Sequence, residues 1–301
     1  MLGKHSNFSK LKRNGPQSPA PRVVRVTRSG PIRSRDRANS SGCQVEGVRA
    51  VYELIKSKRR KVQQVLVDEK FEFEGSNPLI QELIMICGQD RINLHFVSRQ
   101  EISDLSQSAV NQGVLAFAEP IEVLSLSELM ESSQPTRGAR GDSDKVNRLP
   151  FYVVLDGVTD PQNFGAIARS ALAFGASAIV TAKNRSVQLT PSAMKAAAGA
   201  FEYLPVSVVP GIAGALDVLK RNNIWTVGLC PDGDEPLDRI SVLSEPVAIV
   251  MGSEGSGISR LVRSRCDVVA SIVQSGRIGS LNVSAASAIA FYEVSKRRTL
   301  Q

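Results

Sequence analysis

Histidine is nearly missing from this 301-residue chain, which has only His5 and His95. A Ser-His-Asp triad in the C-terminal half would have to recruit His95 from far upstream, and ligation of a metal by several histidines is hard to build. That scarcity excludes much hydrolase chemistry. The four cysteines (Cys43, Cys87, Cys230, Cys266) lie far apart and form no C-x-x-C pair. Such usage suits a reducing compartment and argues against structural zinc, so no metal is expected. No apolar run is long enough to cross a bilayer, and no membrane partner is expected. Acids are scarce in the first 40 residues: ten Lys/Arg stand against Asp36 alone, giving +9 in a chain whose total is +8. Everything after residue 40 is therefore close to neutral.

With Pro16, Pro19, Pro21 and Pro31 and few large apolar residues, residues 1–41 read as a disordered basic arm. Such arms attract phosphate backbones without reading sequence. The competing reading is an organellar transit peptide, because the arm is rich in Arg and Ser. The expected location is cytoplasmic, or an organelle under that alternative.

Globular text begins near Gly42. Val45–Ile55 has helical apolar spacing, 62–67 reads as a strand, 78–87 as a helix, and 94–97 and 114–118 as strands. This is a small α/β domain over 42–119. The run Lys56, Lys58, Arg59, Arg60, Lys61 at the end of its first helix complements the helix dipole or contacts RNA. Residues 120–149 read as a Pro/Gly/Ser-rich linker, with one or two helical turns at 124–130, on which the small domain can reorient. From 150 to 301, strands near 151–155, 177–181, 204–209, 224–229, 246–251 and 268–273 alternate with helices near 162–174, 191–198, 211–222, 257–264 and 281–297. That alternation predicts a parallel α/β sheet.

Three segments of this second domain carry polar side chains where open α/β sheets place ligands. In Leu155–Ala176 a strand ends at Asp156-Gly157, Asp160 caps a helix opened by Pro161, and Asn163 and Arg169 stand out on a face of small residues. Pro246–Arg260 runs from a buried-type strand into a Gly/Ser loop with one carboxylate, Glu254. The loop lacks the lysine of a P-loop and the glycine spacing of a dinucleotide fingerprint. Gly279–Val294 is a polar turn (Ser280, Asn282, Ser284) opening an Ala/Ser-rich helix. Ser284 is a cap hydroxyl or a ligand; for Lys195 the competing reading is a solvated helix charge. Tyr203 and Trp225 read as core residues.

The order N-x-G-x-x-x-R (163–169), M-G-S-E-G-x-G (251–257), S-L-N-V-S (280–284) resembles the three motifs of the SpoU/TrmH group of SPOUT RNA 2′-O-methyltransferases. The likeness is greatest to bacterial enzymes that methylate a guanosine ribose in 23S rRNA. It covers residues 151–297 and, more weakly, 45–119, and includes the text of 184–200 and the Cys266-Asp267 pair. The resemblance implies a C-terminal sheet tied in a deep trefoil knot, an L30e-like RNA-binding domain, a homodimer with its site near the subunit interface, and S-adenosylmethionine as methyl donor. Carried over by motif, Asn163, Arg169, Glu254, Ser280 and Asn282 form the polar catalytic site. Gly252, Ile272 and Leu281 hold the donor through main chain.

Relatives use the position of Arg169 to activate the 2′-hydroxyl. A guanidinium stays protonated in proteins, so gripping a phosphate and stabilising the developing alkoxide suit it better. The motifs do not name the base that takes the proton. The chain departs from the pattern at Val273-Gln274, where relatives read Pro-Met, at Gly279, where Ser is common, and at Arg49, where His is frequent. Main-chain contacts tolerate such exchanges. Other readings are tRNA or an rRNA adenosine as substrate, and a non-catalytic RNA-binding assembly factor that kept the fold; the intact Asn163/Arg169/Glu254/Asn282 set counts against the last. Target selection is expected in residues 42–119, because methyl transfer is the same chemistry at every ribose.

Deleting residues 1–40 should flatten the salt dependence of RNA binding by about 0.7–0.9 in log–log slope per engaged cation. The methylated position should not change. A shifted position in filter-binding and site-mapping experiments would make the arm a specificity element, and a mature protein starting near residue 40 would make it a transit peptide.

Overall fold

The computed structural model describes residues 43–73, 77–108, 111–133, 149–184, 186–275 and 280–299. The basic arm and most of the Pro/Gly/Ser stretch of the linker fall outside this set. The N-terminal domain comprises β1 (Cys43–Glu46), α1 (Val48–Ser57), β2 (Val62–Asp68), α2 (Lys70–Phe73), α3 (Pro78–Gln89), β3 (Leu94–Val97), α4 (Arg99–Leu105) and β4 (Val114–Ala118). Its sheet has the order β1-β4-β2-β3, with β2 and β3 parallel and the other pairs antiparallel.

The helix expected from Val45 starts later. Val45 and Glu46 pair with Ala116 and Leu115 as part of β1. Gly47, at φ +93°, then turns the chain into α1. A ladder with β4 outweighs the helical spacing of those two residues, and only a residue tolerant of positive φ makes so abrupt a change. Helix α4 had a local signal that the periodicity reading passed over: Ser98 Oγ accepts from the Glu101 amide, the first half of an S-x-x-E capping box.

The second domain follows as β5 (Val123–Leu124), α5 (Leu126–Ser133), β6 (Phe151–Asp156), α6 (Pro161–Ala173), β7 (Ala178–Ala182), α7 (Pro191–Ala196), β8 (Val206–Val209), α8 (Ile212–Arg221), β9 (Trp225–Leu229), β10 (Glu235–Pro236), β11 (Val247–Gly252), α9 (Arg260–Arg263), β12 (Val268–Ser271) and α10 (Val283–Thr299). Eight strands run in the order β10-β12-β9-β11-β6-β7-β8-β5, all in parallel pairs. The central strands β6 and β11 are apolar and buried, as sheets covered on both faces require. The linker expectation needs correcting at its start, because β5 pairs with β8 and adds an edge to the large sheet. The helix expected over 257–264 shrinks to the four residues of α9, since Gly257 sits at φ +65°. Strand β12 ends at Ser271, two residues short of expectation, which frees Ile272 and Val273 from the sheet.

The two domains are docked. Arg60 grips Glu202 through Nε at 3.0 Å and a second guanidinium nitrogen at 2.5 Å. Their side chains are only 6% and 1% exposed, so this ion pair is out of water. Arg59 donates to the Glu202 and Tyr203 carbonyls at 3.2 Å, and Tyr203 donates its hydroxyl to Glu53 at 2.9 Å. Burial, with Glu53 beside it, raises the Tyr203 phenol to about 12. One apolar cluster continues from Val51 and Leu54 to Met194 and Phe201. Arg59 and Arg60 therefore bind the second domain. The small domain is thus packed against the second domain by an ion pair and a shared apolar cluster.

Arg60→Ala should cost about 3–5 kcal/mol, because it strands a buried carboxylate. The double change Arg60→Met with Glu202→Leu should recover most of that loss. Urea unfolding of the three proteins checks both; equal stability of Arg60→Ala and the parent chain would rule out a structural role for the pair.

Candidate active site

Helix α6 starts where cap chemistry dictates. Asp160 accepts from the Gln162 and Asn163 amides, and Pro161 takes the first helical position. A Cβ on Gly165 would lie 2.5 Å from both the Ala193 carbonyl and the Ala196 Cβ. The glycine of the N-x-G-x-x-x-R motif is thus a helix-packing residue that lets α7 lie against α6. On the other side α10 packs along α6, where Phe174 and Tyr292 meet edge to face at 5.9 Å.

A cavity of about 570 Å³ opens at the C-terminal ends of β9, β11 and β12. Its walls include Gly252, Glu254, Ile272, Ser280, Leu281 and Asn282. Gly252 ends β11 under a close backbone crossing: a Cβ there would fall 2.0–2.1 Å from the Gly257 carbonyl carbon and the Ile258 nitrogen. The loop from 253 to 257 closes on itself through the Ser253–Gly257 amide–carbonyl pair, both bonds 3.0 Å. Glu254 projects from that loop. Its carboxylate accepts from Asn282 Nδ2 at 2.5 Å, and the same amide nitrogen donates to Asn163 Oδ1 at 3.0 Å. Asn282 Oδ1 in turn receives the Ser284 and Ala285 amides at 2.8 and 3.3 Å and the Ser284 hydroxyl at 2.6 Å. Asn282 therefore caps α10 and ties three segments together at once. Ser284 serves Asn282 and does not line the cavity.

Asn163 is buried behind Asn282. Arg169 stands apart. Six residues along α6 carry it about 9 Å from Asn163 and about 120° around the helix. Within one chain it lines a different cavity, between the domains, beside Lys195 and Arg49. Sequence reasoning also missed Asp232, Arg263 and Cys230, all on the wall of the first cavity. Arg263 holds both Asp232 oxygens at 2.8 Å, and that hydrogen bonding keeps the carboxyl below its ordinary range. The Pro231-Asp232-Gly233 turn directly after β9 was the available signal, since it lies at a strand's C-terminal end. Burial pushes the Cys266 thiol, just behind this wall, up to about 12.

Residues 150–292 match the SpoU rRNA Methylase family, and residues 44–124 match the family described as RNA 2'-O ribose methyltransferase substrate binding. A 23S rRNA (guanosine-2'-O-)-methyltransferase, RlmB, of Haemophilus influenzae is 36% identical over 256 residues, 85% of this chain and 98% of that protein. The chain belongs to the SpoU rRNA methylase family. The Escherichia coli K12 protein of the same name is 35% identical over 255 residues, and the Pseudomonas putida one 32% over 260, 85% of this chain and 97% of that protein. Among solved structures, an RNA 2'-O ribose methyltransferase superposes with TM-score 0.67 at 25% identity, covering 89% of this chain and 93% of the other. The SpoU methyltransferase AviRb of Streptomyces viridochromogenes, solved in complex with the cofactor AdoMet, shares the fold at TM-score 0.67 and 23% identity, over 89% and 95% of the two chains.

In this SpoU-family chain, Asn282→Ala should remove the cap of α10 and leave the buried Asn163 amide short of a partner, costing about 1–3 kcal/mol. Gly252→Ala should be worse than a surface Gly→Ala change, at about 1–3 kcal/mol of overpacking. Gly255, with open space where its Cβ would be but φ +86°, is the comparison position for backbone strain without the crossing. Thermal and urea unfolding rank the three; Gly252→Ala no less stable than Gly255→Ala would dissolve the crossing as a constraint.

Proposed function

We propose that this protein transfers the methyl group of S-adenosylmethionine to the 2′-oxygen of a guanosine in 23S-type ribosomal RNA. The observation that carries this reading is the Asn163–Asn282–Glu254 cluster beside a cavity at the C-terminal strand ends, in a chain 32–36% identical to named 23S rRNA guanosine methyltransferases. The residues present fit the donor. The cavity's volume lies within the range of roughly 300–1,000 Å³ usual for small-molecule sites. Leu229, Met251, Ile258 and Val283 supply apolar wall, and Glu254 supplies negative charge suited to a cation, beside the Asp232–Arg263 pair. When bound, the donor contributes an electrophilic methyl on a sulfonium.

The chain's own part is positioning. Main chain at Gly252, Ile272 and Leu281 holds the donor, and Asn282, fixed by Glu254 and Asn163, keeps the loops in register. Ser280 faces the same space. Arg169 holds a phosphate and stabilises charge growing on the 2′-oxygen. Aligning acceptor and donor in this way supplies up to about 7–11 kcal/mol of the barrier.

The active form in this reading is a homodimer. Ile289 and Tyr292 are 42% and 53% exposed on α10, and Leu281, just before the helix and on the donor cavity wall, is 37% exposed. A second copy covering them would bring Arg169 of the partner subunit to this subunit's donor cavity, which Arg169 does not line within its own chain. The loops after β9, β11 and β12 form the trefoil knot of the SPOUT fold. Support comes from the close crossings at Gly252 and at Gly233, where a Cβ would lie 2.3 Å from the Ala270 backbone. The four-stranded N-terminal sheet with its helices is the L30e-like unit that selects the RNA. Catalysis needs no metal, and the protein works on ribosomal RNA in the cytoplasm.

Arg169→Ala and Asn282→Ala should each lower turnover at least 100-fold on a target-bearing 23S rRNA fragment with tritiated donor. Donor affinity of Arg169→Ala should stay within a few-fold. Mixed dimers of the two variants should recover up to half of parental activity, because one of the two sites is then intact. No recovery would place Arg169 in the site of its own chain, and full turnover by Arg169→Ala would remove it from the chemistry. Methylation of tRNA or of an adenosine, with the 23S fragment untouched, would move the substrate; donor binding with no transfer to any RNA would favour an assembly factor.

A further inference from the structure

Asp156 is the last residue of β6 and stands beside Gly252, the last of β11, in the parallel register of the two strands. It lies outside the three motifs and off the wall of the donor cavity. Its carboxylate nevertheless reaches the returning chain, where Oδ2 accepts the Ser259 amide at 2.8 Å. Ser259 follows directly on the Gly257–Ile258 peptide that passes over Gly252. The chain thus leaves β11, turns through the loop at 253–257, crosses above its own exit and is caught by the neighbouring strand. Gly157, at φ +78°, meets the other end of the same loop: a Cβ there would lie 3.6 Å from the Ser253 Cβ. The Ser253–Gly257 pair closes the loop on itself and fixes its shape, but not its height above β6. Height is set from outside, by Glu254 on Asn282, by Ile258 buried in the apolar core, and by Asp156 at the exit.

We propose that Asp156 is a positioning residue for the methyl donor, latching the loop exit at Ser259 so that the main chain from Gly252 to Ile258 stays set against the donor. The inference rests on the methyl-transfer reading and adds to it the residue that holds the donor loop in place. Every residue from Met251 to Ile258 lines the cavity, so a loop that tilts changes the width of the cavity along that whole side. Glycines at 252, 255 and 257 make the loop pliable, and ordering such a segment carries a large entropic cost. A loop already fastened before the donor arrives spares the donor that cost, which tightens binding and leaves the chemical step alone. The bond runs from a backbone amide to a carboxylate, so Asp156 acts here as an acceptor. Its charge strengthens the bond without touching the sulfonium.

The test uses the full-length protein, S-adenosylmethionine and a target-bearing 23S rRNA fragment. Asp156→Ala should raise the donor Kd, read by calorimetry, and the donor KM about tenfold, the loss expected for one charge-assisted hydrogen bond. Turnover at saturating donor should fall by less than about twofold, with RNA affinity unchanged. A residue that only stabilised the fold would instead lower the active fraction, and so turnover, at an unchanged donor KM. Asp156→Asn keeps an accepting oxygen in the same place and should return donor KM to within about threefold of the parent. Ser259→Pro removes the amide, and Ser259, at φ −60°, already has the conformation proline needs. It should reproduce the Asp156→Ala shift, and the double variant should add little to either. In the donor-free protein, amides at 255–259 should exchange faster in Asp156→Ala while those of α6 keep their rates. Unchanged donor Kd in folded Asp156→Ala, or in Ser259→Pro should the alanine variant not fold, would overturn the latch. So would a loss in Asp156→Asn as large as in Asp156→Ala, which would make the charge and not the bond the cause. Parental protein that binds the donor and methylates no RNA would overturn the methyl-transfer reading, and donor affinity and amide exchange would still decide the latch.

Discussion

Much of the site hangs on one close approach of backbone to backbone. Strand β11 ends at Gly252, and the chain returns over it so tightly that the Gly257–Ile258 peptide occupies the space of a side chain. That crossing sets where Glu254 projects, and Glu254 with Asn163 sets Asn282. Asn282 then fixes the first turn of α10, which lies along α6. Further along the rim, Val273 is exposed and Gln274 lines the cavity. Side chains there face the cavity or solvent, while the frame that holds it is peptide backbone.

A second fixed distance comes from the Arg60–Glu202 pair. A buried ion pair contributes little net stability against an apolar alternative, because desolvation offsets the attraction. Its value is geometric. The bidentate fork accepts one orientation, and Arg59 adds bonds to two neighbouring carbonyls. The docked domains therefore meet at a defined angle, with the apolar cluster from Val51 to Phe201 supplying the bulk of the adhesion.

Legibility in the sequence followed how local each cause was. Asp160 and Pro161 announce α6 because a cap and a fixed φ act within one turn. The parallel strands were readable because burial on both faces demands unbroken apolar runs, as in 151–155 and 247–251. Strand β5 was not, since two residues carry no period. Val45 and Glu46 show a spacing that fits a helix, yet their pairing with β4 is tertiary. The three motifs led to Asn163, Glu254 and Asn282, which the fold brings into contact. Their partner Arg169 could not be placed from spacing, because where a helix face points depends on what packs against the others. Arg59 and Arg60 failed for the same reason: a basic run names a charge and not its partner. Asp232 and Arg263 were missed because they are 31 residues apart and meet only through the fold.

The two cavities differ in a charge left outside their ion pairs: Glu254 in one and Arg169 in the other. The cavity at the strand ends has Glu254, whose carboxylate accepts from the neutral Asn282 amide, beside the Asp232–Arg263 pair. The interdomain cleft has Arg169 beside Lys195 and the Arg49–Glu53 ion pair. A methyl donor bearing a sulfonium and an acceptor bearing phosphates ask for opposite fields. One mixed pocket would blunt both, because each guest would meet its own sign of charge nearby. Two cavities on opposite sides of α6, joined by a helix that carries Asn163 toward one and Arg169 toward the other, avoid that conflict. The exposed apolar side of α10, next to Leu281, lies beside the first of these cavities.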